Sequence, residues 1–379
     1  MTTKVQGHCD ERFSAVKDIL GASLDSGADV GASFAVTLDG EMVVDIWGGW
    51  ADEDHTRPWE RDTITNVWST TKTMTALCAL IVADRGELDF DAPVSRYWPE
   101  FAAGGKGDRV LIRHLMSHTA GLPGWDEPMT VEDLYDWEKA TSLLAAQEPW
   151  WEPGTASGYH AVTQGYLVGE VVRRITGQSL GRFFAEQVAG PLGADFHIGL
   201  PEVEDGRVSF VIAPDIDMDV LAVTPTAKRG LGKPKMDGTE PRAAAWRRAE
   251  IPAANGHGNA RSVALIQAAV ANGGQVAGVK LLSEEGCRRI FEEQANGTDL
   301  VLDVPLRIGI GYGLTSPETP VSPNPNACYW GGWGGSVVVI DLDSRLTFAY
   351  MMNRMESGLV GDTRGFLLGM AVYQALGLM

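Results

Sequence analysis

Apolar residues recur at helical spacing over residues 10–25, and the pattern then changes to strict alternation over 32–47 around Leu38-Asp39-Gly40. This predicts an N-terminal helix followed by an antiparallel hairpin. A buried helix is expected from Ser69 to Arg85 with Gly86 at its C-terminal end, and further helices over 109–117, 131–146, 161–176, 180–189, 260–272 and 283–294. Between 200 and 250 the chain turns to proline, glycine and charge without a clear period, which reads as long surface connections that either form a lid or decorate the surface. Strands return at 329–340 and 345–352 around Asp343-Ser344, and a closing helix is expected over 360–377. Strands from both ends with helices between them predict an α+β fold, with one antiparallel sheet built by the two termini and flanked by helices. The expected division is a sheet domain of 1–68 and 300–379 and a mainly helical domain of 69–299. No internal repeat interrupts this order.

At 379 residues with 44% hydrophobic content and 12 Trp, the chain can bury a large core without staples. Its formal net charge of −19 disfavours phosphate backbones and anionic headgroups, so nucleic acid is excluded as a partner. No apolar run has the form of a signal peptide or approaches the ~20 residues that span a bilayer, so no membrane partner is expected and the protein reads as cytoplasmic. Cys9, Cys78, Cys287 and Cys328 are scattered without CxxC spacing and read as reduced thiols. Nothing in the sequence decides the oligomeric state, and a homo-oligomer is compatible with it.

The chemistry centres on Trp68-Ser69-Thr70-Thr71-Lys72, which opens the apolar run Met74 to Ile81. Positions i and i+3 share a helix face, so the Lys72 amine can reach the Ser69 hydroxyl near a helix N-terminus that favours developing negative charge. The spacing alone is weak evidence, since Ser14-Ala15-Val16-Lys17 repeats it on the N-terminal helix without supporting motifs. Gly177-Gln178-Ser179-Leu180-Gly181 fits a nucleophile elbow, but a helix precedes it where the elbow needs a strand, so Gly177 reads as a C-cap and Ser179 as an N-cap. His114 and His118 stand four apart as zinc ligands would, yet Leu115 occupies the place of the glutamate, and no metal or organic cofactor is expected. His160 and His257 are candidates for the cleft rim. Trp150, Trp151, Trp330 and Trp333 are candidates for an apolar acyl pocket.

Taken with Leu111-Ile112-Arg113-His114-Leu115-Met116-Ser117-His118-Thr119-Ala120-Gly121-Leu122, with Tyr159 after Pro153-Gly154, and with Trp330-Gly331-Gly332-Trp333-Gly334-Gly335-Ser336, the sequence resembles the serine β-lactamase and penicillin-binding-protein superfamily, and within it the class C-like family VIII carboxylesterases. The resemblance covers nearly the whole chain. It implies the β-lactamase-like fold, Ser69 as acylated nucleophile, Lys72 and Tyr159 as a coupled base, Trp330 to Trp333 as the opposite wall, and Ser69 with Trp333 as backbone donors to the oxyanion. Two departures stand out. His160 and Ala161 follow Tyr159 where a lactamase would end in Asn, and Trp330-Gly331-Gly332 replaces the K-T-G cation. Both favour uncharged small-molecule esters over penicillins. A free lysine titrates near ~10.4, so a neutral Lys72 would need ~4 to 5 kcal/mol of desolvation, whereas a cationic Lys72 ~4 Å from Tyr159 would favour its phenolate by roughly 4 kcal/mol. The expectation is therefore a phenolate base beside a charged amine, in an esterase for short-chain acyl groups. The alternatives are a weak β-lactamase, a D-amino-acid peptidase or amidase, an acyltransferase, and a non-catalytic ligand-binding relative.

Overall fold

The computed structural model describes residues 4–215 and 222–379. Nine strands form one antiparallel sheet: β1 (Gln6–Cys9), β2 (Gly31–Leu38), β3 (Glu41–Gly49), β4 (Ala295–Thr298), β5 (Pro305–Ile308), β6 (Gly313–Leu314), β7 (Ala327–Gly331), β8 (Val337–Asp341) and β9 (Leu346–Met352), in the order β1-β3-β2-β9-β8-β7-β6-β5-β4. The N-terminal and C-terminal strands meet at β2 and β9, where Phe34 faces Tyr350 and Val36 faces Phe348. The expected hairpin is present. Asp39 and Gly40, at φ +52° and +82°, turn β2 into β3 with the positive dihedrals that match the twist of paired strands. The strand expected over 329–340 is two strands, because Gly332 to Ser336 form a tight turn with Gly334 and Gly335 at φ +92° and +130°. The sheet also begins earlier than the boundary expected at 300, since β4 already pairs with β5.

The helices used below are α1 (Ser14–Ser26), α2 (Thr71–Asp84), α3 (Ile112–Met116), α4 (Trp137–Ala146), α5 (Thr163–Thr176), α6 (Leu180–Phe184), α7 (Pro225–Leu231), α8 (Ala260–Ala271) and α9 (Thr363–Ala375). Strand residues alternate between faces, and the two faces are covered by different helices. Ser33 accepts from the first turn of α8 through Ala260 N–H at 3.2 Å, whereas Phe348 lies so close to α9 that a Cβ on Gly369 would meet it at 2.3 Å. The helical region gathers around α2, whose residues Thr71 to Val82 are all buried, as expected of a helix with apolar side chains on every face. α5 and α6 pack on it, α3 and α4 pack on α5, and α8 packs on β2 and β9. A small sheet then ties this region to the front of α2. Ile64–Asn66 runs between His257–Gly258 and Val208–Ser209, with Phe196–His197 outside.

The 200–250 segment is not irregular throughout. It holds a 3-10 turn at Glu202–Arg207, the strand Val208–Ser209, α7 and a helical turn at Ala244–Arg248. Residues 216–221 of that expectation lie outside the described residues. No helix of the described residues is long and apolar enough to cross a membrane.

Candidate active site

Ser69 stands on a 3-10 turn, Trp68–Thr70, that runs directly into α2. The turn is entered through Trp68 at φ +47°, a conformation that costs a bulky residue roughly 1–3 kcal/mol and persists only where packing enforces it. Enforcement comes from aromatic neighbours, since the Trp68 ring lies 4.9 Å from Trp333 and 5.6 Å from Trp246. Hydroxyls then fix the backbone. Ser336 Oγ donates to Val67 O at 2.8 Å and pairs with Thr70 Oγ1 at 2.9 Å, while Thr71 Oγ1 donates to Trp68 O at 2.5 Å and accepts from Gly256 N–H at 2.9 Å.

Two side chains meet on Ser69 Oγ: Lys72 Nζ at 3.0 Å and the Tyr159 hydroxyl at 2.5 Å. Lys72 rises from the first turn of α2, and Tyr159 comes from the extended stretch ahead of α5. The amine also donates to Ala161 O at 2.6 Å and Ala253 O at 2.9 Å and lies 4.8 Å from the centre of the Tyr159 ring. Both side chains are buried. Burial pushes Lys72 well below the ordinary lysine range, and among the described residues no carboxylate pairs with it to oppose that push. Burial likewise pushes the Tyr159 phenol well above its ordinary range; bonds to Ser69 and Trp330 work against this and the Asp299 carboxylate adds to it. Desolvation thus works against both expected charges, the ammonium of Lys72 and the phenolate of Tyr159.

Trp330 and Gly331 end β7, and Gly332 begins the turn that faces the nucleophile. A Cβ on Gly332 would lie 2.3 Å from both Val67 O and Ser336 Oγ and 3.2 Å from Ser69 N, so only glycine fits. Gly332 N–H is taken by Ser336 O at 2.7 Å, whereas the N–H groups of Ser69 and Trp333 have no carbonyl acceptor among the described residues. Trp330 is buried, 5.7 Å from the Tyr159 ring and stacked 5.3 Å from His118.

Other expected rim residues serve the backbone instead. His160 is fully buried, with Nδ1 2.6 Å from Gly158 O and Nε2 accepting from Leu122 N–H at 3.0 Å, and desolvation brings its pKa to about 3. His257 lies within the small sheet opposite Asn66 and His197, with Nδ1 2.8 Å from Asn255 O, and desolvation brings it also to about 3. Neither offers a nitrogen to the cleft rim. Trp151 donates to Ala156 O at 3.0 Å, and its ring would meet a Cβ on Gly158 at 2.4 Å, so it braces the Tyr159 segment from behind. His114 accepts from Leu111 N–H at 3.1 Å as a helix cap, and no group among the described residues could hold a metal. Ser179 caps α6 through Arg182 N–H at 3.4 Å and Gly177 ends α5 at φ +72°, as expected.

Part of the 200–250 segment, which the sequence left open between a lid and surface decoration, lies over the site. Ala222 and Ala227 pack with Tyr159, Val301 and Trp330. Gly230 presses on the loop at Gly124, where a Cβ would come within 2.9 Å of its Cα. Arg229 stacks 3.9 Å over Trp150 and donates to Asp126 at 3.0 Å, and Lys233 donates to Asp126 O at 2.5 Å. Ser69 is left 8% exposed. Beside Ala161 there remains a cavity of ≈ 30 Å³ between Trp125, Val162, Leu231 and Met236.

With a serine-bearing turn, a helix lysine, a tyrosine and a glycine-lined strand end in one place, the fold and site define a β-lactamase-like hydrolase. The chain belongs to the beta-lactamase family, whose model matches residues 16–368. It is similar to the esterase/beta-lactamase LipL of Mycobacterium tuberculosis (strain ATCC 25618 / H37Rv), with 37% identity over 96% of this chain and 86% of that protein. Among solved structures it is similar to a family VIII carboxylesterase, with a TM-score of 0.92 and 43% identity over 98% of this chain and 100% of the other. A penicillin-binding protein homologue from Caulobacter crescentus superposes with a TM-score of 0.93 at 37% identity, over 98% of this chain and 100% of the other. The chain is thus an esterase/β-lactamase-like hydrolase close to the family VIII carboxylesterases.

Proposed function

We propose that this chain is a carboxylesterase that hydrolyses short-chain esters through an acyl-enzyme on Ser69. What carries the reading is the meeting of an amine and a phenol on one hydroxyl, at 3.0 and 2.5 Å. A neutral lysine has two N–H donors and one lone pair. The two donors match Ala161 O and Ala253 O, which leaves the lone pair for the Ser69 proton. Lys72 is then the base, and Tyr159, an un-ionised phenol, is the acid. As Ser69 Oγ attacks the ester carbonyl, its proton passes to Lys72; the Ser69 and Trp333 N–H groups receive the oxyanion. Collapse expels the alcohol oxygen, which takes the Tyr159 proton, and Tyr159 recovers one from Lys72. Water repeats the sequence on the acyl-enzyme and releases the acid.

An ester with a small acyl group suits the site for two reasons. The cavity beside Ala161 is small and its walls include the apolar Trp125, Val162, Leu231 and Met236. Trp330 stands where a cation would meet a β-lactam carboxylate. A cytoplasmic setting agrees with four free cysteines, three of them buried. The test compares p-nitrophenyl butyrate with nitrocefin on the wild type and on Ser69→Ala. The reading predicts Ser69-dependent turnover of the ester; turnover of nitrocefin alone would replace it with a β-lactamase.

A further inference from the structure

Tyr159 holds its hydroxyl 2.5 Å from Ser69 Oγ, yet it stands on a segment, Ala156 to His160, with no helix or strand of its own. Something else must fix its position. Three successive N–H groups of that segment are taken by two residues remote in sequence. Gly158 N–H donates to His118 O at 3.0 Å, Tyr159 N–H to Asp299 Oδ1 at 2.9 Å, and His160 N–H to His118 Nδ1 at 3.1 Å. His118 therefore grips one edge of the segment and Asp299 the other.

Each residue shows features that a plain structural contact does not require. His118 takes φ +62°, a conformation in which His and Asn are enriched among non-glycine residues. Its Nδ1 can accept only if the proton sits on Nε2 and the ring is neutral; burial pushes its pKa well below the ordinary value. The same ring lies 5.1 Å from that of Tyr159 and stacks on Trp330. Asp299 Oδ1 also accepts from Val301 and Leu302 N–H at 2.9 and 3.0 Å, while Oδ2 is buried with no partner among the described residues. An unpartnered buried polar atom costs ~1–3 kcal/mol, and asparagine could make the same anchor without an unpaired carboxylate oxygen.

We infer that His118 and Asp299 are positioning residues for the reaction, a two-sided clamp that sets the reach of the Tyr159 hydroxyl to Ser69. The inference rests on the assignment of Tyr159 as the acid that works with Ser69. It is tested in the full chain with His118→Ala, His118→Asn, Asp299→Ala and Asp299→Asn, reading KM and kcat for p-nitrophenyl acetate per Ser69 titrated with a fluorophosphonate. Counting only titratable sites removes loss through misfolding. Misplacing a catalytic group by about 1 Å costs roughly 100-fold. Each alanine variant is expected to lose that much kcat with KM little changed, and each asparagine variant, which keeps an acceptor, to recover most of it. Alanine variants with wild-type kcat per site would overturn the clamp, as would asparagine variants that fall as far as alanine. If an alanine variant does not fold, the asparagine pair decides: kcat near wild type supports the clamp, and a loss of about 100-fold in either overturns it. Tyr159→Phe separates the two levels. Full activity there removes the assignment of Tyr159, whereas an inactive Tyr159→Phe beside fully active clamp variants removes the clamp alone.

Discussion

Lys72 and Tyr159 act from unlike electrostatic positions. Burial pushes the amine toward its neutral form with two carbonyls and the Ser69 hydroxyl as partners, and pushes the phenol toward its neutral form beside a carboxylate. The kcat/KM profile should therefore rise with pH as Lys72 loses its proton, with that limb below the ordinary lysine value of 10.5, and should hold until the phenol ionises. Lys72→Arg installs a permanent cation that cannot act as a base, and is expected to lose ~10²–10⁴-fold in kcat. A Lys72→Arg enzyme near wild-type rate would show that a cation suffices. Gly332→Ala is expected to lose roughly 10²–10³-fold in kcat by obstructing the oxyanion donors, read from steady-state rates after circular dichroism has shown the fold intact. At this scale the sequence made Ser69, Lys72 and Gly332 legible through spacing and resemblance. His118 and Asp299 were not legible as partners of Tyr159, because they act on backbone N–H groups of another segment, which no side-chain pattern records. The burial of the pair was not legible for a related reason: desolvation depends on how deeply the amine sits, and spacing is silent about depth.

Among the elements, α2, the β2–β3 hairpin and the helices around α5 followed from periodicity, since each buries a continuous apolar face. α7 did not. Its seven residues contain glycine, lysine and arginine, and the two it buries, Ala227 and Gly230, carry almost no hydrophobic signal. The strand expected over 329–340 was divided for the opposite reason: valines continue the apolar pattern on the far side of a turn that only Gly334 and Gly335 betray. α7 bounds the cavity through Leu231, so Leu231→Ala should admit longer acyl chains. One methylene in an apolar pocket is worth ~10-fold or more in kcat/KM, and the ratio of p-nitrophenyl hexanoate to acetate should rise by about that factor. An unchanged ratio would place the acyl chain elsewhere.

At the scale of the whole molecule, both ends of the chain build one sheet, and the helical region they enclose is pinned to it through the small sheet in front of α2. Asp195, beside the outer strand of that small sheet, accepts from Arg207 at 2.7 Å. Burial alone would raise its carboxyl, but His197 and then Arg207 outweigh it and bring the pKa to about 2. A depressed carboxyl stabilises the fold above its unfolded value, 3.8, and that contribution disappears as pH falls toward 2. Asp195→Asn should therefore have a lower Tm than wild type at pH 7 and a smaller further drop between pH 4 and pH 2; parallel Tm curves would contradict this. Helices and strands from opposite ends matter to the proposed function because they carry Ser69 ahead of α2, Lys72 on α2, Tyr159 ahead of α5 and Trp333 after β7 to a single point. Intact-mass spectrometry after fluorophosphonate treatment tests that convergence most directly. The account predicts one adduct on the wild type and none on Ser69→Ala, and an adduct that persists on Ser69→Ala would contradict it.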